Sequence, residues 1–430
     1  MVERARRAVS ATRELVRKHR PDYRLISYTA VLVVIGLIII FAIGPQRANL
    51  LNETFGSSLG DSYFILRQTM SVLIAMGAFI AFAFFFKFDW ILKHSGKILL
   101  AGFGASALLA LFGNVFHVEA ITQCALGACR WFVLPGIGTF QPSEFLKFGV
   151  LIFLSGFLAA RMRSGEINSR DKTLIPVAAI LAVCALFIVI LQKDLGTGVA
   201  LIAIVASMMT VAGISPRIGA LAAAGLVVLG VVTIVIAPHR MERMMTFLGG
   251  DEAATAVDGG AYHITHAKIA IGSGGLFGLG IGNSVQAAGY LPEAINDSVF
   301  AILGETFGFL GLVFILGMFY LLLRRILKIM DHLPDERYKL LAAGVFGWIG
   351  SHVIINVAAM TGLMPLTGIT LPLLSFGGTS MVFIAMILGL VFQASQYTAH
   401  RSDLKKGKKD EDSRSRRRVG RTRYAGRRSI

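Results

Sequence analysis

Charged residues are scarce in this chain. Only 16% of its 430 residues are Asp, Glu, Lys or Arg, whereas 55% are hydrophobic. A soluble domain of this length needs much more polar surface, so the composition excludes a soluble protein. Apolar runs of about 20 residues, the length that crosses a bilayer, recur between residues 27 and 397. The sequence therefore predicts an integral membrane protein.

Cysteine is also scarce, with three residues. This count excludes the disulfide-dense class of small secreted proteins, and no Cys/His spacing typical of a metal site is present. Cys184 lies inside an apolar run and is interpreted as a packing residue. Cys124 and Cys129 fall in a loop that we expect outside, where a disulfide and two free thiols are both compatible with the sequence.

Acidic residues are outnumbered, with 25 against 42 Lys and Arg. Residues 1–24 hold eight basic and three acidic residues and residues 401–430 hold thirteen and four, which accounts for 14 of the 17 net positive charges. Because both tails flank membrane segments, this charge indicates cytoplasmic retention and attraction to anionic lipid rather than nucleic-acid binding. We predict a basic tail over 1–26, a membrane domain over 27–397 and a basic, disordered tail over 398–430.

Ten membrane-spanning helices are predicted, so the expected fold class is all-α and polytopic. Basic residues follow the even-numbered spans, and the positive-inside rule then places both termini in the cytoplasm. A large extracytoplasmic loop, 238–296, separates the seventh and eighth spans, and a shorter outer loop covers 114–142. The approximate limits of the spans are 27–45, 64–86, 95–113, 143–161, 174–192, 195–214, 217–237, 297–323, 339–360 and 376–397.

Ionisable residues concentrate at the outer ends of these spans, where they are costly and indicate function. Glu144 and Lys147 are spaced i, i+3, which suits an ion pair and equally the polar wall of an outward-facing cavity. Asp194 is interpreted as the cap of the sixth span. Arg240 and Arg243 lie outside the seventh span, where they suit either a diphosphate or lipid headgroups.

Asp297 stands at the outer mouth of the eighth span. On spacing alone, Asn296 or Asp297 could be the N-cap of this helix, and Asp297 could equally be a general base with a raised pKa. Asp297, Ala301 and Glu305 recur at i, i+4 and i+8, which predicts Glu305 on the same helical face about 12 Å deeper.

Taken in order, these clusters resemble the SEDS family (shape, elongation, division, sporulation), whose members polymerise peptidoglycan. Residues 280–294 are similar to its division-type, FtsW-like branch, whereas Tyr262 and His263 are closer to the elongation type. The matching segments are Arg67 and Gln68, Arg130 and Trp131, 141–147, 194–197, 271–278, 290–305 and 362–380.

The resemblance implies the polymerisation of lipid II at the outer face of the bacterial cytoplasmic membrane, at the division septum. The 4-hydroxyl of an acceptor GlcNAc attacks C1 of a MurNAc on undecaprenyl diphosphate, with inversion. Asp297 matches the family's essential aspartate and is the implied general base. The residues expected to contact substrate are Arg67, Glu144, Lys147, Arg240, Arg243, Glu293, Glu305 and Ser375.

The resemblance also implies partners. These are a class B penicillin-binding protein with transpeptidase activity and other divisome proteins, beside lipid II itself and membrane lipid. A divalent cation, Mg²⁺ or Mn²⁺, is compatible with diphosphate chemistry, although the sequence offers no readable ligand set.

The chain departs from the family pattern beside the implied base. Ile295 and Asn296 stand where the family usually has His-Thr, Lys193 replaces a proline and Thr306 replaces a frequent second glutamate. Two other functions stay compatible with the sequence: a lipid II flippase and a catalytically silent division scaffold.

Overall fold

The computed structural model describes residues 20–118, 120–125, 128–134, 138–221 and 259–398, with six isolated positions between 224 and 245. The α-helices with defined bounds are α1 (Tyr23–Phe55), α2 (Tyr63–Ile80), α3 (Phe88–Lys93), α4 (Ser95–Ala110), α5 (Pro142–Ser164), α6 (Ile175–Ala185), α7 (Leu195–Val211), α8 (Gly259–Ser273), α9 (Val299–Asp331), α10 (Glu336–Met360) and α11 (Gly378–Ser395). The strands are β1 (Thr122–Ala125), β2 (Ala128–Leu134) and β3 (Gly138–Phe140).

Eight segments of the described chain are long and apolar enough to cross a membrane. They contain α1, α2, α4, α5, α6, α9, α10 and α11, three of them lengthened by π-helical turns. Helix α7 is apolar but shorter, and its 17 residues span about 26 Å. Nine of the ten predicted spans thus coincide with helices, which confirms the polytopic all-α class. The seventh, 217–237, lies almost entirely outside the described residues.

Helix α10 is the most buried of these spans. Its apolar window is 83% buried within the protein, against 17% for α2. A Cβ added at Gly347 would lie 2.3 Å from Ser207 Oγ of α7, and that hydroxyl donates a hydrogen bond to Ala343 O of α10 at 2.8 Å. Small residues therefore let α7 and α10 approach closely, as is common between membrane helices.

Helix α9 is interrupted at Gly308, whose φ of 67° and ψ of −169° are not helical. The glycine-rich segment that follows α8 runs beside this break, and Leu279 N donates to Glu305 O at 2.8 Å. A Cβ at Gly278 would lie 2.2 Å from Thr306 O, so a larger residue does not fit. Backbone-to-backbone contact thus fixes this segment against α9.

The outer loop predicted at 114–142 contains a small antiparallel sheet of order β1-β2-β3. A disulfide joins Cys124 to Cys129 across β1 and β2, which answers the question that the sequence left open. The disulfide packs against the end of the third span, where a Cβ at Gly113 would lie 2.5 Å from Cys129 Cβ. Cys184 is buried with a free thiol, as expected of a packing residue.

Ion pairs join the helix ends on the opposite, inner face. Asp22 ahead of α1 pairs with Arg325 of α9. Arg337 of α10 contacts Asp89 of α3 at 2.8 Å and Asp335 at 2.6 Å. Because this face carries the basic connections between spans, the positive-inside rule assigns it to the cytoplasm.

Candidate active site at the outer ends of the helices

Asp297 is half-buried in the turn that leads into α9. The helix begins at Val299 and its N-cap is Ser298, so neither Asn296 nor Asp297 is the cap. The prediction that Asp297 and Glu305 share a helical face is wrong for the same reason, because Asp297 precedes the first helical residue.

Asn356 of α10 fixes the backbone beside Asp297. Its buried Nδ2 donates to Asp297 O at 2.6 Å and to Ile369 O at 2.7 Å. Both amide protons are therefore used to join the turn before α9 to the loop between α10 and α11. Gly368 of that loop has a φ of +74°, and a Cβ there would lie 4.0 Å from Asp297 Oδ2. The Asp297 carboxylate thus lies beside this loop.

The predicted pair of Glu144 and Lys147 is present at 2.7 Å and is almost fully buried. Lys147 Nζ also lies 3.1 Å from His352 Nε2 and 4.6 Å from the centre of the Trp348 ring. A lysine only donates, so Nε2 accepts and the imidazole proton is on Nδ1, 3.4 Å from Thr370 O. This chain of contacts runs from α5 to the loop beside Asp297.

Two polar residues one turn apart on α10 thus hold adjacent carbonyls of the same loop. His352 contacts Thr370 O and Asn356 contacts Ile369 O. Neither residue was among the predicted site residues. The sequence does contain a signal for them, because His352 and Asn356 are polar residues spaced i, i+4 in a mostly apolar span.

Ser375 organises the other end of this loop. Its buried Oγ accepts from Leu371 N at 2.8 Å, and its carbonyl accepts from Gln68 Nε2 at 3.2 Å. The next residue, Phe376, donates its N–H to Ile295 O at 2.8 Å. These bonds give Ser375 a role in shaping the loop, and its contact with substrate stays a prediction.

His263 of α8 reaches the residue that follows Asp297. Its Nε2 lies 2.5 Å from Ser298 Oγ, which is 2.8 Å from Pro292 O. Because the single hydroxyl proton donates to Pro292 O, His263 Nε2 is the donor in the first contact. The family resemblance includes His263 in a motif without assigning it a role, and no spacing rule connects it with Ser298.

Glu305 is buried and faces the loop before Asp297. Its carboxylate accepts from Ser284 Oγ, from Val285 N at 2.9 Å and from Gln286 N at 3.2 Å. Such a nest of donors stabilises a carboxylate and fixes the loop. The geometry favours a structural role, and the predicted contact of Glu305 with substrate is untested.

Asp194 caps α7, as its sequence context predicts. Its two carboxylate oxygens accept from Thr197 N at 2.9 Å and from Thr197 Oγ1 at 2.7 Å. Arg130 of β2 fixes the same turn by donating to Gln192 O at 3.2 Å and Lys193 O at 3.0 Å. Arg130 therefore connects the outer sheet to the turn before α7 by hydrogen bonds.

The remaining predicted residues are dispersed at this outer end. Arg67 is exposed, with its guanidinium 5.3 Å from the centre of the Tyr63 ring. Glu293 is exposed and lies 3.9 Å from Arg47. Arg240 and Arg243 lie outside the described residues.

The described part of the chain contains no group of three or more His, Cys, Asp or Glu side chains placed to hold a metal ion. The participation of a Mg²⁺ or Mn²⁺ ion stays a prediction, because diphosphate and water can supply most ligands of such ions.

Comparison with protein families places most of the chain in one family. The model of the cell cycle proteins FtsW, RodA and SpoVE matches residues 23–400. Stage V sporulation protein E of Bacillus subtilis (strain 168) is 34% identical over 389 residues, which cover 89% of this chain and 99% of that protein. A probable peptidoglycan glycosyltransferase FtsW of Nitrosomonas europaea is 32% identical, covering 86% and 92% of the two chains.

Solved structures share the fold. A chain of a peptidoglycan synthase complex that coordinates polymerization and crosslinking aligns with a TM-score of 0.66 and 24% identity, over 87% of this chain and 98% of that one. The rod shape determining protein RodA of Thermus thermophilus aligns with a TM-score of 0.57 and 23% identity, over 87% and 97%.

Proposed function

This chain belongs to the FtsW, RodA and SpoVE family, and we propose that it is a peptidoglycan glycosyltransferase that polymerises lipid II at the outer face of the cytoplasmic membrane, with Asp297 as general base. The observation that carries the proposal is the placement of Asp297. Its carboxylate lies at the outer end of the bundle, and its backbone is fixed by Asn356 between α9, α10 and the α10–α11 loop.

The proposed reaction is an inverting glycosyl transfer. Asp297 accepts the proton of the acceptor 4-hydroxyl as that oxygen forms a bond to C1 of the donor sugar. The bond from C1 to the diphosphate oxygen breaks, and undecaprenyl diphosphate leaves with the bonding electron pair. General base catalysis of this kind contributes about 10²- to 10⁴-fold to a rate. Arg67, Arg240 and Arg243 are the proposed partners of the diphosphate charge, alone or with a divalent cation.

Three other carboxylates near the outer helix ends have structural roles of their own. Glu144 is in a buried ion pair, Asp194 caps α7 and Glu305 accepts from backbone amides.

The lipid II flippase is a weaker alternative. A flippase must open towards the cytoplasm, yet the inner helix ends are joined by the pairs of Asp22 with Arg325 and of Asp89 with Arg337. This inner network and the outer position of Asp297 support polymerisation over transport.

The similarity to a chain of a peptidoglycan synthase complex supports a class B penicillin-binding protein as partner, and the FtsW relatives support septal action.

Parallel assays separate the three functions. Purified protein, with and without its penicillin-binding partner, is given lipid II in detergent and the glycan strands are separated by gel electrophoresis. The same preparation in vesicles is tested for lipid II flipping. We expect strands without flipping. Flipping without strands would support the transporter, and neither activity with the partner bound would support the scaffold.

A further inference from the structure

A crevice opens between α3, α4, α5 and α10 on the inner side of the bundle. It has a volume of about 480 Å³. Its polar lining includes Asp89, Lys93 and Arg337, and its apolar lining includes Leu92, Phe153 and Phe157. We refer to it as the inner-leaflet crevice. Nothing in the proposed glycosyl transfer uses it.

The apolar residues of the crevice lie within the length of one bilayer leaflet from the cytoplasmic end of α5. This helix ends at Ser164, so Phe157 lies about 10 Å and Phe153 about 16 Å from that end along the helix. Half of a typical hydrocarbon core is about 15 Å. The apolar wall thus extends from the interface to the region of the bilayer midplane, which suits an acyl chain.

An exposed tryptophan next to the crevice-lining Asp89 in the sequence indicates that this end of the bundle lies at a membrane interface. Trp90 of the short helix α3 is exposed and stacks on Phe86, with ring centres 5.9 Å apart. Tryptophan at this depth lies at the level of the lipid headgroups. The polar rim of the crevice is therefore at the height where lipid phosphates are found.

The rim has one cation that the inner ion-pair network does not use. Arg337 is already paired with two carboxylates, those of Asp89 and Asp335. Lys93 is exposed and has no ion pair among the described residues. An ammonium group above an apolar wall is complementary to a phospholipid with net negative charge.

We propose that the inner-leaflet crevice binds one anionic phospholipid of the cytoplasmic leaflet, with its phosphate at Lys93 and an acyl chain against Phe153 and Phe157. Gly156 keeps the crevice open, because a Cβ there would already lie 3.3 Å from Leu92 Cδ2. The site is independent of glycosyl transfer and would exist equally in a flippase or a scaffold.

Native mass spectrometry of the purified full chain tests the site. The protein is incubated in detergent with phosphatidylglycerol or with phosphatidylcholine, and the retained lipid is counted. We expect the wild type to retain one phosphatidylglycerol in preference to phosphatidylcholine. In the Lys93→Ala variant, the ratio of retained phosphatidylglycerol to phosphatidylcholine should fall about fivefold. Gly156→Leu fills the crevice and should abolish retention of both lipids.

The matched control is Lys97→Ala, because Lys97 is also exposed, lies four residues further on and does not line the crevice. It should retain phosphatidylglycerol as the wild type does. An equal effect of Lys93→Ala and Lys97→Ala, or equal retention of both lipids by the wild type, would overturn the proposal. Displacement of the lipid by inorganic phosphate alone would also overturn it, since a free anion would then be the ligand. Lys93 is exposed, so its variant tests the site even if Gly156→Leu does not fold.

Discussion

At the scale of single residues, the outer site is organised by polar side chains that bind backbone carbonyls. Asn356 holds the carbonyls of Asp297 and Ile369, and His352 holds that of Thr370. Loops at a membrane face have few apolar contacts, so directional hydrogen bonds determine where a side chain such as Asp297 points. Asn356 is therefore a positioning residue for the proposed base.

Replacing Asn356 by leucine should slow catalysis more than it impairs folding. Leucine keeps the number and branching of the side-chain heavy atoms but removes both hydrogen bonds, and a displacement of about 1 Å at the reacting group costs about 100-fold in rate. We expect Asn356→Leu to lower kcat for lipid II polymerisation by about 10- to 100-fold, with a smaller change in KM.

Gln393 provides the matched control at the inner end. Its buried amide also donates to two backbone carbonyls, Phe82 O at 3.0 Å and Phe86 O at 2.8 Å. Because Gln393 Oε1 also accepts from Phe88 N at 3.1 Å, Gln393→Met should lower thermal stability at least as much and leave kcat of the folded protein unchanged. If the two variants lose the same fraction of kcat, Asn356 acts only through stability.

The buried pair of Glu144 and Lys147 allows a second test. Lys147→Met leaves an uncompensated buried carboxylate and should reduce the free energy of unfolding by about 3–5 kcal/mol. The double variant with Glu144→Gln should recover most of that loss, because no buried charge remains. Unfolding in detergent micelles measures both, and equal losses in single and double variants would contradict the pairing.

At the scale of elements, the glycine-rich segment after α8 is fixed by contact with the break in α9. Gly278 has a φ of +84°, which disfavours any side chain, and its missing Cβ leaves room for Thr306 O. This segment leads to Glu305 and to the turn that carries Asp297. Its docking therefore determines the geometry of the outer site.

Gly278→Ala should accordingly lower the free energy of unfolding by at least about 2 kcal/mol. Gly272→Ala is the control, because a Cβ at Gly272 has no atom within 4 Å, and we expect a change within about 0.5 kcal/mol. Thermal unfolding monitored by circular dichroism measures the difference. If Gly278→Ala leaves the free energy of unfolding unchanged, the close contact between Gly278 and Thr306 O is not required for stability.

The length of the apolar runs and the placement of charge were enough to predict nine membrane-spanning helices, because the bilayer imposes both features on the sequence. The start of α9 at Val299, with Ser298 as its N-cap, was not predictable in the same way. Three consecutive polar residues, Asn296 to Ser298, are each acceptable caps, and the contact of His263 with Ser298 comes from a distant part of the chain. The interruption at Gly308 likewise depends on the docked glycine segment.

At the scale of the whole molecule, the inner face is joined by ion pairs and the outer face carries the loops of the site. Asp335, between α9 and α10, contacts both Arg337 and Arg163. Burial alone would raise the pKa of the Asp335 carboxyl, but hydrogen bonds and charge from Arg337 outweigh it and lower this pKa.

The lowered pKa predicts how stability depends on pH. The anion is favoured in the folded state, so Asp335 contributes stability above its unfolded pKa of about 3.9, and this contribution is lost as pH falls through the lower folded value. Asp335→Asn should therefore melt at a lower temperature than wild type at pH 6. The difference in melting temperature between the variant and the wild type should decrease as the pH falls below about 4. A gap that is constant with pH would contradict the assignment.

The proposed role of Asp297 is tested by the rate of lipid II polymerisation by Asp297→Asn with the penicillin-binding partner present. Asparagine keeps the size of the side chain but cannot accept the proton. We predict a fall in kcat of about 10²- to 10⁴-fold, with lipid II binding nearly unchanged and with normal activity in the control Asp61→Asn, which changes an exposed carboxylate in the outer loop between α1 and α2. Polymerisation by Asp297→Asn at the wild-type rate would contradict the assignment of Asp297 as general base.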